Sequence, residues 1–367
     1  MKNKVFTICA LLGMIFFLSG CSGHQQLHQK LVVQGVGIDK SEKGYTVTVQ
    51  ALDFQNPMSE DEPTVKVIET QGQSVTEALD NISKRTSLRP VYSQNLILIL
   101  GKNAASAGVG NFIDFFIRHC ETRPKVEICV TKEKASDILR IKSGDKMLKS
   151  KNIHDLIPTQ LNSDVLHFVS NLKNSNSDPW TAWLEIEDKK GIKEVSLKGV
   201  GIFNRDKLLD FLEGEDAFGF MILKGVPNFG SCVINLPEGG EITCIIDRCV
   251  PEIKSEIQEN DLPRIEVNLN VSASTFSVDK DSYTHSFEEV SQAIEKELER
   301  KIGDICNKVL QKTLNLNLDL FEFSKILRNN HPSYFKKIQE KYKPQLNKLK
   351  FEVKAKVKLK ATGKEPV

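Results

Sequence analysis

Beyond its opening twenty residues, this 367-residue sequence lacks any apolar run near the roughly 20 residues that a bilayer-spanning helix needs. Asn95–Leu100 (Asn-Leu-Ile-Leu-Ile-Leu) is too short and reads as a buried strand. No two cysteines stand in a C-x-x-C pair and no histidines are spaced to complete a zinc site, which excludes the commonest structural-metal and dithiol-redox patterns. No serine lies in a Gly-x-Ser-x-Gly elbow. His119 abuts Cys120, but neighbours on a helix diverge by about 100°, so they form no dyad. Gly35-Val36-Gly37 and Gly199-Val200-Gly201 lack the third glycine that would open a phosphate-binding helix, and they read instead as points where strands approach closely or bulge. The formal charge of +2 excludes nucleic acid as the main partner. No catalytic, cofactor-binding or metal residue is expected.

What is present begins at the N-terminus. Met1-Lys2-Asn3-Lys4 is basic, Val5–Leu18 is apolar, and Leu18-Ser19-Gly20-Cys21 forms a lipobox. Cleavage is expected between Gly20 and Cys21, with Cys21 becoming an N-palmitoyl, S-diacylglycerol cysteine. Each buried acyl methylene contributes about 0.8 kcal/mol, so such chains anchor a protein without spanning the membrane. Residues 21–30 are polar and suit a tether; His24 and His28 within it read as solvated residues rather than a metal pair. The remaining body, about 345 residues, is long enough for two or three domains and would work outside the cytoplasm.

Along that body, Leu31–Ile38 and Tyr45–Phe54 read as a hairpin around Asp39–Gly44, and Val65–Thr70 as a further strand. Ser74-Val75-Thr76-Glu77 is a capping box that opens a helix through about Thr86, with Val75, Ala78, Leu79 and Ile82 on one face. A helix over Asn111–Cys120, a strand over Val126–Thr131 and a helix over Ala135–Ile141 follow, in an α/β or α+β pattern. Residues 142–194 hold amphipathic helical stretches, such as Val165–Asn171, with a polar break at 173–179. A domain boundary is expected near 194, dividing an N-terminal α+β domain (31–194) from a C-terminal region (195–367) with subdomains at about 195–265 and 266–367.

A strand-rich section from Glu194 to about Val278 carries strands at Ser196–Phe203, Phe218–Lys224, Ser231–Leu236, Glu241–Cys249 and Arg264–Thr275. A long helix then carries Val290, Ala293, Ile294, Leu298, Ile302, Ile305 and Val309, and Pro332 opens another. Of Cys120, Cys129, Cys232, Cys244, Cys249 and Cys306, most suit small buried thiols; a disulfide involving Cys244 or Cys249 is the alternative. The last strand, Phe351–Lys360, alternates strictly, with lysines on one face. From Lys336 to Val367 there are 11 lysines against 3 glutamates, a local +8 in a nearly neutral chain. That face reads either as protection of a sheet edge or as a contact for anionic headgroups or an acidic partner.

The order of several segments resembles the GerC family of spore germination lipoproteins, the C subunits of nutrient germinant receptors. The matching residues are the lipobox at Cys21, Leu31–Lys40, Gly44–Gln50, Ser87–Tyr92 leading into Asn95–Gly101, Lys198–Phe203 with Asp206-Lys207-Leu208, Asp319–Phe323, and Asn330-His331-Pro332. Two positions depart from the pattern: Glu322 stands where glycine is common, and Tyr334-Phe335 where tryptophan is frequent. The resemblance implies an α+β, multi-domain fold of distorted mixed and antiparallel sheets with peripheral helices. It also implies a non-enzymatic lipoprotein at the spore inner membrane, assembled with integral-membrane A and B subunits, with the nutrient bound elsewhere. A substrate-binding lipoprotein of a transporter is the alternative.

Overall fold

The computed structural model describes residues 29–54, 64–118, 125–143, 146–147, 150–235, 240–257, 263–275 and 287–360. Its first sheet is built from β1 (Lys30–Ser41), β2 (Gly44–Asp53), β3 (Thr64–Gly72), β4 (Arg89–Val91), β5 (Ile97–Gly101) and β6 (Glu127–Thr131). After a two-stranded ribbon of β7 (Lys142–Ser143) and β8 (Lys146–Met147), it resumes with β9 (Trp180–Lys189), β10 (Ile192–Asn204) and β11 (Lys207–Glu213). The strand order is β11-β10-β9-β6-β5-β1-β2-β3, with β4 beside the start of β1. β5 lies between parallel neighbours β1 and β6 and is buried on both faces, which is why its sequence is apolar without alternation.

Helices cover both faces of this sheet. On one side lie α1 (Val75–Thr86), α2 (Lys102–Ala107) and α3 (Gly110–Arg118), packed with Leu98 and Leu100. On the other, α4 (Ala135–Leu139) and Ile153 of α5 (Ser150–His154) pack with Ile97 and Ile99. α6 (Val165–Lys173) joins the first group. In α1 the expected box forms: Ser74 Oγ accepts from Glu77 N at 3.1 Å, and Val75, Ala78, Leu79 and Ile82 are the buried face.

The chain then forms α7 (Gly214–Lys224) and a second sheet of β12 (Ser231–Asn235), β13 (Glu241–Glu256), β14 (Arg264–Thr275) and, after three helices, β15 (Lys350–Leu359). Those helices are α8 (Phe287–Asn315), α9 (Phe323–Asn330) and α10 (Pro332–Tyr342). β13 pairs antiparallel with β12 and β14, whereas β15 pairs parallel with β14. The inner face of the sheet (Ile246, Cys249, Ile265, Val267, Leu269, Val271, Val353, Val357) packs on Ile294, Leu298, Ile302 and Val309 of α8, in one core continuous with Ile97 and Ile99 of the first sheet. The outer face is polar.

Three expectations are corrected. Phe218–Lys224 is not a strand but the second half of α7; Ala217 to Leu223 are all buried, so the helix is apolar all round and shows no helical period to the eye. Trp180–Lys189 is a strand of the first sheet, not part of a helical region. Asp39 and Lys40 belong to β1, and the hairpin turn is only Glu42-Lys43. The expected division at 194/195 falls inside β10, which pairs with β9 from Lys189↔Ile192 to Trp180↔Ile202. Cys120, together with Cys21, Gly20, His24, His28 and His119, lies outside the described residues.

Candidate functional site

The segments that mark the sequence converge on structural work around buried carboxylates. Asp39, from the first of them, accepts hydrogen bonds from Ala135 N at 2.8 Å and Ser136 N at 3.1 Å, so it caps α4 from a distant strand. Burial raises its carboxyl above the ordinary value, against the pull of those two N–H groups. Asp206 likewise accepts from Gly110 N at 3.2 Å at the start of α3. The Gly-Val-Gly pairs are close approaches: a methyl on Gly199 would strike the Leu212 carbonyl oxygen, and one on Gly201 would strike Val130.

The most elaborate arrangement joins the two sheets. Asp178, fully buried in the segment entering β9, accepts from Lys343 Nζ at 2.5 Å and from Asp319 N at 3.0 Å, while its own N–H donates to the Asp319 carbonyl at 3.2 Å. Asp319 in turn caps α9, accepting from Phe323 N at 2.9 Å and Ser324 N at 2.8 Å. Ser324 and Ser177 share a hydrogen bond at 3.1 Å. Burial pushes the Asp319 carboxyl up to about 6 and raises the Tyr342 hydroxyl, which points at it from 3.4 Å.

Beside this knot, Lys224 ends α7 with its ammonium 3.4 Å from the Trp180 ring centroid and 5.4 Å from that of Phe321, donating to the Leu320 carbonyl at 2.7 Å. Burial pushes that ammonium down to about 8, against the pull of Glu322 and Asp319. His167, edge-on to Trp180, is lowered by burial too. Its Nε2 stands 3.8 Å from Glu322. Glu322, where the family pattern favours glycine, has φ +57°, the left-handed conformation that glycine adopts without strain. Lys224, Phe321 and Glu322, together with Asn162, Lys325 and Asn329, line a cleft of about 350 Å³.

Sequence reasoning located Asp319 and Glu322 only through the family pattern. Asp178, Lys224, His167 and Lys343 carried no signal, because their partners lie far away along the chain. Among the described residues, no group of three or more His, Cys, Asp or Glu is placed to hold a metal, and no helix is long and apolar enough to cross a membrane. Cys129, Cys232, Cys244, Cys249 and Cys306 are buried and free. Cys232 and Cys244 are register partners on β12 and β13, with the Cys244 thiol pushed up by burial to about 11.

Residues 23–186 match the family described as "Spore germination protein N-terminal domain", and residues 198–363 match "Spore germination B3/ GerAC like, C-terminal". The chain is 23% identical to spore germination protein KC of Bacillus subtilis (strain 168), over 99% of this chain and 97% of that protein. It is 20% identical to spore germination protein GerQC of Bacillus cereus, over 95% and 96% of the two chains. The crystal structure of the GerBC protein is similar at a TM-score of 0.59 and 20% identity, covering 89% of this chain and 97% of that one. This fold of helices and curled mixed sheets is the fold found there.

Proposed function

This chain belongs to the spore germination B3/GerAC-like family, and from that membership we propose that it is the lipid-anchored C subunit of a nutrient germinant receptor. In this reading, cleavage after Gly20 frees Cys21, the acyl chains on Cys21 hold the body at the outer face of the spore inner membrane, and integral-membrane A and B subunits are its partners. The observation that carries the reading is that both family matches run in order along nearly the whole body. The lipobox supports the anchor, and the absence of catalytic motifs from the sequence supports a role by contact rather than reaction.

The physics of such a subunit is confinement plus rigidity. A tether converts encounter with a membrane partner into a local event, raising effective concentration without new contacts. The buried Asp178–Lys343 pair and the Asp178–Asp319 hydrogen bonds tie the segment entering β9 to the α8–α9 connection and to the turn that precedes β15. The test is deletion of the gene in its host, followed by nutrient-triggered dipicolinate release from purified spores. Release triggered by dodecylamine, which bypasses receptors, is the control. Loss of the nutrient response with the control intact is expected; an unchanged response in a strain also lacking paralogous C subunits would overturn the reading.

A further inference from the structure

The outer face of the second sheet carries a group of cations that the rest of the protein does not neutralise. Register places Arg248, Ser272 and Lys358 in one row across β13, β14 and β15, and Val250, Asn270 and Lys356 in the next. Side chains paired across adjacent strands stand about 5 Å apart at Cβ, so Arg248 and Lys358 are about 10 Å apart there, with Lys356 about 7 Å along β15 from Lys358. These six residues line a shallow depression of about 320 Å³. Arg248, Lys356, Lys358 and Asn270 are exposed, and Ser272 is half-buried.

Asp247, Glu352 and Glu266 on this face already have partners, while Glu252 and Glu256, exposed further along β13, have no ion pair among the described residues. Asp247 lies 3.3 Å from Lys360 and accepts from Ser274 Oγ at 3.0 Å. Glu352 is held by Arg264 at 2.5 Å and by Lys354 at 3.6 Å, and Glu266 by Lys354 at 3.6 Å. Glu252, across β14 from Lys354, bounds the patch on one side. Among the described residues, no ion pair reaches Arg248, Lys356 or Lys358. The hydroxyl and amide between them add donors suited to phosphate oxygens. Val250, 38% exposed in the row next to Arg248, adds an apolar point beside the charges.

We propose that this face docks on the phosphodiester headgroups of an anionic bilayer. The edge-protection reading of the lysines does not account for it, because the free edge of β15 is closed otherwise: Glu299 accepts from Val357 N at 3.0 Å and Glu295 from Leu359 N at 2.9 Å, both from α8. Charge complementarity selects the occupant. The nearly neutral chain concentrates its positive charge in residues 336–367 and leaves the remainder acidic, so an anionic surface attracts this end and repels the rest. The proposal rests on the anchored reading only in that the Cys21 lipid keeps the membrane at hand. The face then sets which way the anchored body leans.

The test uses the full lipidated chain mixed with excess vesicles of phosphatidylcholine alone or containing phosphatidylglycerol, followed by amine-reactive labelling read by mass spectrometry. Each cation near an anionic surface contributes about 1 kcal/mol, so the three together favour the docked state about 100-fold, and labelling of Lys356 and Lys358 falls at least about tenfold with phosphatidylglycerol. Lys102 and Lys308, exposed elsewhere, label equally in both, and molar salt restores the labelling of the patch. Equal labelling of Lys356 and Lys358 in the two vesicle types overturns the proposal. So does protection by inorganic phosphate alone, which marks a free-anion site, or protection seen only in native membranes holding the other receptor subunits, which marks an acidic protein partner. Flotation of the same samples is read separately: a chain that does not float with phosphatidylcholine vesicles refutes the anchor, while the labelling contrast still decides the face.

Discussion

Lys224 ends α7 with its ammonium against aromatic rings and a single carbonyl oxygen, and it holds its proton less tightly folded than unfolded. Between about 8 in the fold and the ordinary 10.5, the unfolded chain binds more protons, so stability rises with pH across that window. Asp319 acts lower on the scale. Its carboxyl, pushed up from 3.8 to about 6, keeps a proton in the fold that the unfolded chain has already lost, so stability falls as pH rises through that interval. Urea midpoints measured from pH 4 to 10 should show both slopes. Lys224→Met should abolish the alkaline rise while changing stability near neutrality by no more than about 1 kcal/mol, since an apolar chain of similar length refills the aromatic site. Lys343→Ala is a different case. It strands the fully buried Asp178 carboxylate with only backbone partners, and should cost about 3 kcal/mol in the same titration.

At the scale of elements, the edge of β15 is the clearest instance of one segment protecting another. Glu295 and Glu299, one helical turn apart on α8, take the two outward N–H groups of Val357 and Leu359. Replacing both by alanine should cost about 1 kcal/mol per lost bond and leave an open edge; chemical denaturation reads the first effect, and a concentration-dependent rise in mass by light scattering reads the second. This protection was invisible in the sequence, whereas the strand itself was plain from its strict alternation. Legibility followed periodicity throughout. α1 and α8 were readable because each buries one stripe, and β5 because it is short and wholly apolar. α7 was misread because all sides of Phe218–Leu223 are buried, which leaves no period to find. The junction was hidden for another reason: Asp178 meets Asp319 and Lys343 from 141 and 165 positions away, and only the completed fold brings them together. The basic face was half legible, since its lysines alternate along β15 but Arg248 and Asn270 join them through strand pairing alone.

At the scale of the whole molecule, the continuous core from Ile97 to Val357 makes the two sheets one folding unit among the described residues. Circular dichroism and the fluorescence of Trp180 and Trp183 should therefore lose their signals in one coincident urea transition; two separated transitions would show that the sheets unfold independently. The proposed anchor acts on this unit from outside it. Cys21→Ala should leave that transition where it is while releasing the body from the membrane fraction, and finding the variant fully membrane-bound would defeat the tether.

The parallel pairing of β14 with β15 has a temporal side. Ala273 meets Leu359 and Arg264 meets Lys350, so every partner of the outer half of β14 is made more than eighty residues later in synthesis. Until that stretch arrives, the Ile265–Val271 strand has one ladder of backbone groups unpaired and an apolar face without Val353 and Val357. In the proposed anchored reading the chain is threaded outward from its N-terminus, and this half cannot finish folding while that export is under way. A stop codon anywhere before residue 350 would release a polypeptide whose sticky seam never closes.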